Sequence, residues 1–198
     1  PVVALQLCAL GGSRDEAPTE QGGAHFLEHM FSMGTPTRKM RQVRDDVMNR
    51  GGQSNALTEF DYTGYWAVVR SEDFEMALDG LADGARNVLV APDEVEKERA
   101  IIFDEIRERL DNPGTFAYEE LASLAFHPHP YMRRRAATAD DIRRLTREDL
   151  VRIYHRDFRP DRLVLLISGD VDREQALATV RAKFGSMTPD GPPAPRAA

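Results

Sequence analysis

The stretch His25-Phe26-Leu27-Glu28-His29 contains two imidazoles four residues apart, with a carboxylate between them. A helix turns by about 100° per residue, so His25 and His29 project about 40° apart and Glu28 lies just to the other side of His25. All three side chains therefore share one helix face. The order H-x-x-E-H inverts the commoner H-E-x-x-H of metallopeptidases, and it raises the hypothesis of zinc-dependent hydrolysis.

A catalytic zinc ion with two histidine ligands needs a third protein ligand. The strongest candidate is Glu105, on a helix predicted from about Asp93 to Leu110. Glu98 precedes it by seven residues (105 less 98), two turns earlier on the same face. Two stacked carboxylates are also ordinary on the solvent-facing side of an amphipathic helix. The spacing alone therefore leaves both interpretations open.

Composition and charge restrict the possible classes of protein. With 198 residues, 41% of them hydrophobic and 30% charged, the chain can bury a continuous core. The net charge of −7 argues against a nucleic-acid partner. The run Arg133-Arg134-Arg135 is the local exception, and we interpret it as a solvated loop. No apolar stretch approaches the ~20 residues that span a bilayer.

The single cysteine and the chain ends indicate little about the compartment. Cys8 excludes an internal disulfide, and its apolar surroundings predict a thiol packed in the core. The start at Pro1, without a signal-like segment, favours a processed protein or a fragment, from either the bacterial periplasm or the cytoplasm. The Pro/Ala-rich residues 186–198 predict a linker or a truncated end.

Hydrophobic periodicity predicts helices interspersed with a few strands. The predicted strands run from about Val2 to Leu10, Gln53 to Leu57, Tyr62 to Arg70 and Leu163 to Ser168, the last of them buried. The predicted helices run from about Ala24 to Met33, Arg38 to Arg50, Ser71 (as N-cap) to Leu89, Asp93 to Leu110, Thr115 to Phe126, Ala139 to Leu145, Arg147 to His155 and Arg173 to Phe184. Pro92 is expected to break the chain, and Asp93 and Glu96 have the spacing of a capping box.

Further segments extend the similarity beyond the histidine motif. The segments are Gly23-Ala24-His25-Phe26-Leu27-Glu28-His29-Met30, Gly51-Gly52-Gln53-Ser54-Asn55-Ala56 with Thr58, Glu98-Arg99 and Glu105-Ile106. Together they resemble the zinc-bearing domain of the pitrilysin/insulysin metallopeptidase family, which includes the mitochondrial processing peptidases. The gap of 76 from His29 to Glu105 (105 less 29) is similar to the family spacing. The family pattern continues in Asp141-Ile142, Leu145-Thr146, Tyr154, Pro160 and Ser168-Gly169-Asp170-Val171.

The resemblance implies a role for each polar residue of the motif. His25, His29 and Glu105 would bind one Zn²⁺ per chain, and Glu28 would act as the general base. Glu98 would orient a ligand or the zinc-bound water. In this arrangement the metal acidifies a water molecule and polarises a peptide carbonyl, while Glu28 takes a proton and returns it to the leaving amine.

The resemblance also implies a substrate, a fold and a partner. Asn55 and Ala56 match an edge strand that binds an extended peptide by β-addition. The fold would be an α+β two-layer domain over residues 1–185, lacking its first strand, with an antiparallel or mixed sheet and helices mainly on one face. A homologous second domain would supply an Arg/Tyr pair that grips the substrate. Residues 133–138 depart from the family pattern because they lack the Gly that often follows the His-Pro-Tyr loop.

The resulting prediction is the zinc-bearing half of an endopeptidase, and two alternatives stay open. A catalytically silent subunit, like the respiratory-chain core proteins, would tend to lose the zinc motif that this chain keeps. An S-ribosylhomocysteine lyase takes its third ligand from a cysteine, but Cys8 precedes the motif instead of following it. The remaining histidines are given structural roles, His127 and His129 in a stiff proline loop and His155 at a helix end.

Overall fold

A computed structural model describes residues 1–134 and 137–189. Its sheet has four antiparallel strands in the order β2-β3-β1-β4. The strands are β1 Val2–Ala9, β2 Gln53–Thr58, β3 Thr63–Arg70 and β4 Leu163–Gly169. The α-helices of the described ranges are α1 Gly23–Met30, α2 Gln42–Asn49, α3 Phe74–Asn87, α4 Pro92–Asp111, α5 Pro113–Ala125, α6 Ala139–Arg144, α7 Arg147–Asp157 and α8 Arg173–Phe184.

The core lies between one face of the sheet and the helices. Val3, Leu5 and Leu7 alternate along β1 and are almost fully buried, because successive strand side chains point to opposite faces. Helices α1 and α3 pack on this face and contribute the fully buried Phe26 and Leu78. The predicted α+β arrangement, with an antiparallel sheet covered by helices mainly on one face, is therefore confirmed.

Strand β4 lies at an edge of the sheet, and the prediction that it is a buried strand is wrong. Val164 and Leu166 are 40% and 53% exposed. Leu163 and Leu165, on the other face, pack against the core. A continuous run of Leu and Val shows strand propensity, but it does not reveal how many sides of the strand are covered. Cys8, on the neighbouring strand, is buried as predicted.

Helices α1 and α2 are shorter than predicted. Helix α1 ends at Met30, because the next turn tightens: the amide of Ser32 donates to the carbonyl of His29 and that of Met33 to the carbonyl of Met30. Helix α2 begins at Gln42, because Arg41 has a left-handed backbone with φ of 58°.

The starts of helices α4 and α5 differ from the prediction. Pro92 does not break the chain, because it is the first residue of α4, where its fixed φ and missing N–H cost nothing. The N-cap of α4 is Ala91, so the predicted Asp93 capping box is absent. Pro113 likewise starts α5, and the Asn112 side chain caps it by accepting from the amide of Thr115.

The start of α3 also differs from the prediction, since Ser71 lies in a short 3-10 turn and is not the cap. Helix α3 begins at Phe74 after Asp73, whose carboxylate caps no backbone N–H. That carboxylate instead accepts hydrogen bonds from Arg50 and Arg70.

Part of the arginine run is bonded to the fold, which contradicts the solvated-loop interpretation. Arg133 donates to the carbonyl of Glu16 at 2.5 Å, and Arg134 donates to the Glu120 carboxylate at 2.6 Å. Arg135 and residues 190–198 of the predicted linker lie outside the described residues. Across the described ranges, no helix combines the length and the apolar character needed to cross a bilayer.

Candidate metal centre and cleft

The first turn of α1 is held by an acidic side chain from the loop before it. One oxygen of Glu16 accepts from the amide of Gly22 at 2.9 Å and the other from that of Ala24 at 2.8 Å. Gly22 has a φ of 86°, and a Cβ there would lie 2.5 Å from Ile142. The loop and the glycine together fix where the helix starts, and hence the direction in which its histidines point.

The sequence alone does not reveal that Glu16 belongs to this site. It is only 4% exposed, and its burial, partly offset by the amides of Ala24 and Gly22, raises its pKa from the ordinary 4.5 to about 8. The sequence offers only indirect evidence that a distant side chain caps α1. Gly22 and Gly23 offer no capping side chain at the start of α1, so the cap had to come from elsewhere.

Three candidate ligand atoms converge where α1 meets α4. Oε2 of Glu105 lies 3.5 Å from Nε2 of His25 and 3.5 Å from Nε2 of His29. All three ligand atoms lie within 4.8 Å of one another. Zinc ligands at about 2.0–2.2 Å in a tetrahedron stand roughly 3.4 Å apart, so this donor set fits the metal. Within the described residues it is the one grouping of three His, Cys, Asp or Glu side chains suited to a cation.

Glu98 contacts the far side of one of these histidines. Its Oε2 lies 2.9 Å from Nδ1 of His29, and the residue is only 4% exposed. A metal-binding imidazole is neutral, so donation from Nδ1 to Glu98 would leave Nε2 of His29, which faces Glu105, free to bind a cation. Nδ1 of His25 is buried and has no hydrogen-bond partner among the described residues.

The pKa values of the two histidines are shifted in opposite directions. Burial and the charge of His29 lower the pKa of His25 to about 4. Burial also acts to lower the pKa of His29, but hydrogen bonding to Glu105 and Glu98 outweighs it and raises this pKa to about 9. The difference reflects where the carboxylates lie, since Glu98 serves only the second histidine.

Helix α4 holds Glu98 and Glu105 in fixed relation to α1. Ile102, between them, is completely buried, and Ile106 is 6% exposed. Arg99 anchors the same helix by hydrogen bonds to two backbone carbonyls in and after α6, including that of Leu145 at 2.9 Å. The two carboxylates therefore project from a helix whose apolar side is part of the core. Glu98 is buried, whereas the side chain of Glu105 is 40% exposed and contacts both imidazoles.

Glu28 faces the same space and is held by strand β2. The hydroxyl of Thr58 donates to its carboxylate at 2.6 Å. Burial raises the Glu28 pKa, and the hydrogen bond from Thr58 and the charge of His29 partly offset that rise. A carboxylate with a raised pKa accepts a proton more readily, which suits a general base.

A cleft of about 470 Å³ lies beside the edge of the sheet and beside α1 and α4, the two helices that carry the candidate ligands. Glu28, His29 and Glu105 line it, together with Asn55 and Ala56 of β2. Strand β2 pairs only with β3, so its outer edge is unpaired within the described residues. Asn55 is exposed and Ala56 is half-buried.

The other titratable residues considered from the sequence lie apart from this cluster. Nδ1 of His129 accepts from the amide of Tyr131 at 3.2 Å, in a local turn. His155 lies in the last turn of α7. Cys8 is absent from the cation-binding group, so the arrangement does not favour the lyase alternative.

Comparison with known proteins assigns the family. Residues 1–139 match the family described as Insulinase (Peptidase family M16). Residues 144–198 match a second family, described as Peptidase M16 inactive domain. An uncharacterized zinc protease of Mycobacterium leprae is 37% identical over 175 residues, which cover 88% of this chain and 39% of that protein.

Solved structures give the same result. A protease from Helicobacter pylori superposes with a TM-score of 0.92 and 27% identity, over 98% of this chain and 47% of that one. The first half of the periplasmic protease PqqL from Escherichia coli has a TM-score of 0.89 at 22% identity, over 99% and 43%. This chain thus spans less than half the length of these relatives. It belongs to peptidase family M16, the insulinase family of zinc proteases.

Proposed function

We propose that this chain is the zinc-bearing half of an endopeptidase that hydrolyses peptides or unfolded polypeptide segments. The observation that carries the proposal is the convergence of His25, His29 and Glu105 with atom separations of 3.5 Å, beside Glu28 and an unpaired strand edge. The family name and the relatives named zinc proteases support the same chemistry.

The three converging side chains would hold one Zn²⁺ ion. When bound, zinc supplies Lewis acidity, which lowers the pKa of a water molecule toward ~7 and polarises a carbonyl. Glu98 keeps the His29 ring oriented through its contact with Nδ1. Glu105 contributes the anionic ligand, and its position on the rigid α4 fixes its distance from both imidazoles.

Glu28 would be the proton carrier of the reaction. Its carboxylate takes a proton from the attacking water and delivers it to the leaving amine. The hydrogen bond from Thr58 leaves one carboxylate oxygen with a fixed direction and the other available for the water. The raised pKa of Glu28 brings its proton affinity closer to that of the groups with which it exchanges.

The peptide would bind along the outer edge of β2. An extended chain can pair with the free backbone groups of an edge strand, which gives affinity with little dependence on sequence. Asn55 and Ala56 lie in this strand and line the same cleft as Glu28. A homologous second half, carrying an Arg/Tyr pair, would close the cleft and grip the substrate.

The test separates the base from the metal ligands. Glu28→Gln, in the full-length protein, should keep about one zinc per chain but lose peptidase activity by ~10²- to 10⁴-fold, the usual contribution of general-base catalysis. Glu108→Gln, an exposed change on α4, is the matched control and should keep both. Loss of zinc from Glu28→Gln would make Glu28 a ligand. Unchanged turnover would overturn the mechanism.

A further inference from the structure

We infer that the cleft selects substrates with an acidic side chain within about two residues of the scissile bond. The inference rests on the proposed function, because it concerns the peptide that occupies the same cleft. Its basis is a group of cationic side chains, here called the basic rim: Lys39, Arg41 and Arg44. All three line the cleft, and all three are exposed.

The basic rim is largely free of internal ion partners. Lys39 and Arg44 form no ion pair with any residue of the described ranges. Arg41 has one distant partner, since its Nη2 lies 4.0 Å from Oε1 of Glu98. Arg38 also lines the cleft, but its guanidinium already pairs with carboxylates of α3, including that of Asp83 at 2.5 Å. Arg38 is therefore neutralised, whereas the rim is available to a ligand.

The acidic residues of the cleft are already engaged. Among the described residues that line it, Glu28, Glu98 and Glu105 are the only acidic ones. Glu98 contacts His29, Glu28 accepts from Thr58, and Glu105 lies between the two imidazoles. A bound divalent cation would offset two of these three carboxylate charges, and the three cations of the basic rim outnumber the one that remains. The uncompensated charge that an incoming side chain meets beside the sheet edge is therefore positive.

The backbone holds the rim beside the sheet edge. Arg41 has a φ of 58°, a conformation that favours glycine, and its amide donates to the carbonyl of Ser32 at 2.7 Å just after α1. Arg44 lies one turn further along, in α2, which packs against β2. A peptide paired with β2 would thus lie in the cleft that both the rim and α1 line. Since a strand advances ~3.3 Å per residue, the long cationic side chains reach only a few substrate positions.

The test uses the full-length protein and sets of quenched peptides that differ at one position, from two residues before to two after the cleaved bond. We expect Glu to exceed Gln by about tenfold in kcat/KM, since each exposed charge pair contributes only a few-fold. Lys should be poorer still. The effect should appear mainly in KM, and it should shrink in 0.5 M salt because exposed charges are screened.

The variant Lys39→Glu/Arg44→Glu should reverse the preference, and Arg44→Lys should keep it. Neither Lys39 nor Arg44 has an ion partner within the described chain, so the double variant should still fold. Circular dichroism checks its folding. Arg173→Glu, an exposed charge reversal at the start of α8 outside the cleft, should leave the preference unchanged. Equal kcat/KM for Glu, Gln and Lys at every position would overturn the inference, as would an unchanged preference in the double variant.

An equilibrium measurement distinguishes this inference from the proposed function. Fluorescence anisotropy of the labelled Glu and Lys peptides, with the zinc-loaded full-length Glu28→Gln variant, measures binding without turnover. Tighter binding of the Glu peptide supports the inference even if the protein cleaves nothing, an outcome that would overturn the proposed function alone. Cleavage of all peptides without charge preference in either assay would leave the proposed function standing and overturn the inference.

Discussion

Oε2 of Glu98 and Nδ1 of His29 lie 2.9 Å apart, joining the two helices that carry the candidate metal ligands. The contact is almost completely buried on the Glu98 side. A buried partner on the far nitrogen fixes both the ring orientation and the tautomer of a ligating imidazole. The metal affinity should therefore depend on a carboxylate that does not touch the metal.

We predict that Glu98→Ala weakens zinc binding about 10- to 100-fold, the usual cost of losing such a partner. Glu98→Gln should lose less, because its amide oxygen can still accept from Nδ1. Competition with a chromogenic chelator measures both affinities. An affinity of Glu98→Ala equal to that of the unaltered protein would show that the imidazole needs no support from α4.

Glu105→Gln should remove the anionic ligand with little change in size, so the purified protein should lose most of its zinc. Glu108→Gln, three residues later and exposed on the same helix, is the control. Elemental analysis after gel filtration gives the metal content of each. If Glu105→Gln keeps as much zinc as the control, the third ligand is another residue.

Thr58→Val should shift the acid limb of the pH–activity profile upward. The Thr58 hydroxyl stabilises the ionised form of Glu28, and without it the pKa of that carboxyl rises further. Since the base must be ionised, the midpoint of the acid limb should move upward by about one pH unit, for a hydrogen bond to a charged group worth ~1.5 kcal/mol. Thr58→Ser keeps the hydroxyl and should behave like the unaltered protein. Identical profiles for all three would exclude Thr58 from tuning the base.

Glu16 should make folding stability fall as pH rises. Its pKa is about 8 in the folded state against 4.5 ordinarily, so between these values the unfolded chain releases a proton that the folded chain retains. Rising pH therefore favours unfolding across this window, by about 1.4 kcal/mol per unit of pKa difference. Urea unfolding at pH 5 to 8, in chelator, measures the slope.

The Glu16→Gln variant is the comparison for that slope. Its amide nitrogen must face a backbone N–H, which should cost about 1–3 kcal/mol at pH 5. The cost should decrease as pH approaches 8, because glutamine does not ionise. Parallel pH profiles for the two proteins would mean that Glu16 is ionised in the folded state throughout.

The isolated chain should bind peptide but hydrolyse it poorly. Positioning a substrate for attack can account for ~7–11 kcal/mol of a barrier, and this chain spans less than half the length of the M. leprae and H. pylori relatives. A quenched-peptide assay with and without the separately expressed second half measures the difference. Stimulation by the second half is the expected result. Full activity of the chain alone would show that the cleft needs no closure.

Local spacing alone predicts that His25 and His29 lie together, whereas it left Glu98 and Glu105 open to a solvated interpretation until the resemblance to the family was added. His25 and His29 share a helix face whatever the rest of the fold does. Glu16 could not be found in this way, because its partners are backbone amides that appear only once the loop folds back on α1. The exposure of Val164 was missed for a similar reason, since an edge position is a property of the whole sheet. The prediction that Pro92 breaks the chain was wrong because a proline that cannot continue one helix is well suited to be the first residue of the next.

The edge of β2, which is unpaired within the described residues, has a further consequence for handling this protein. An edge that accepts any extended backbone also accepts another copy of itself, and exposed edges are sites of aggregation. β2 is only six residues long and carries the exposed polar residues Gln53 and Asn55, which limit such pairing without preventing it. Substrate peptide should therefore act as a solubilising agent, competing with self-association of the isolated chain at high concentration.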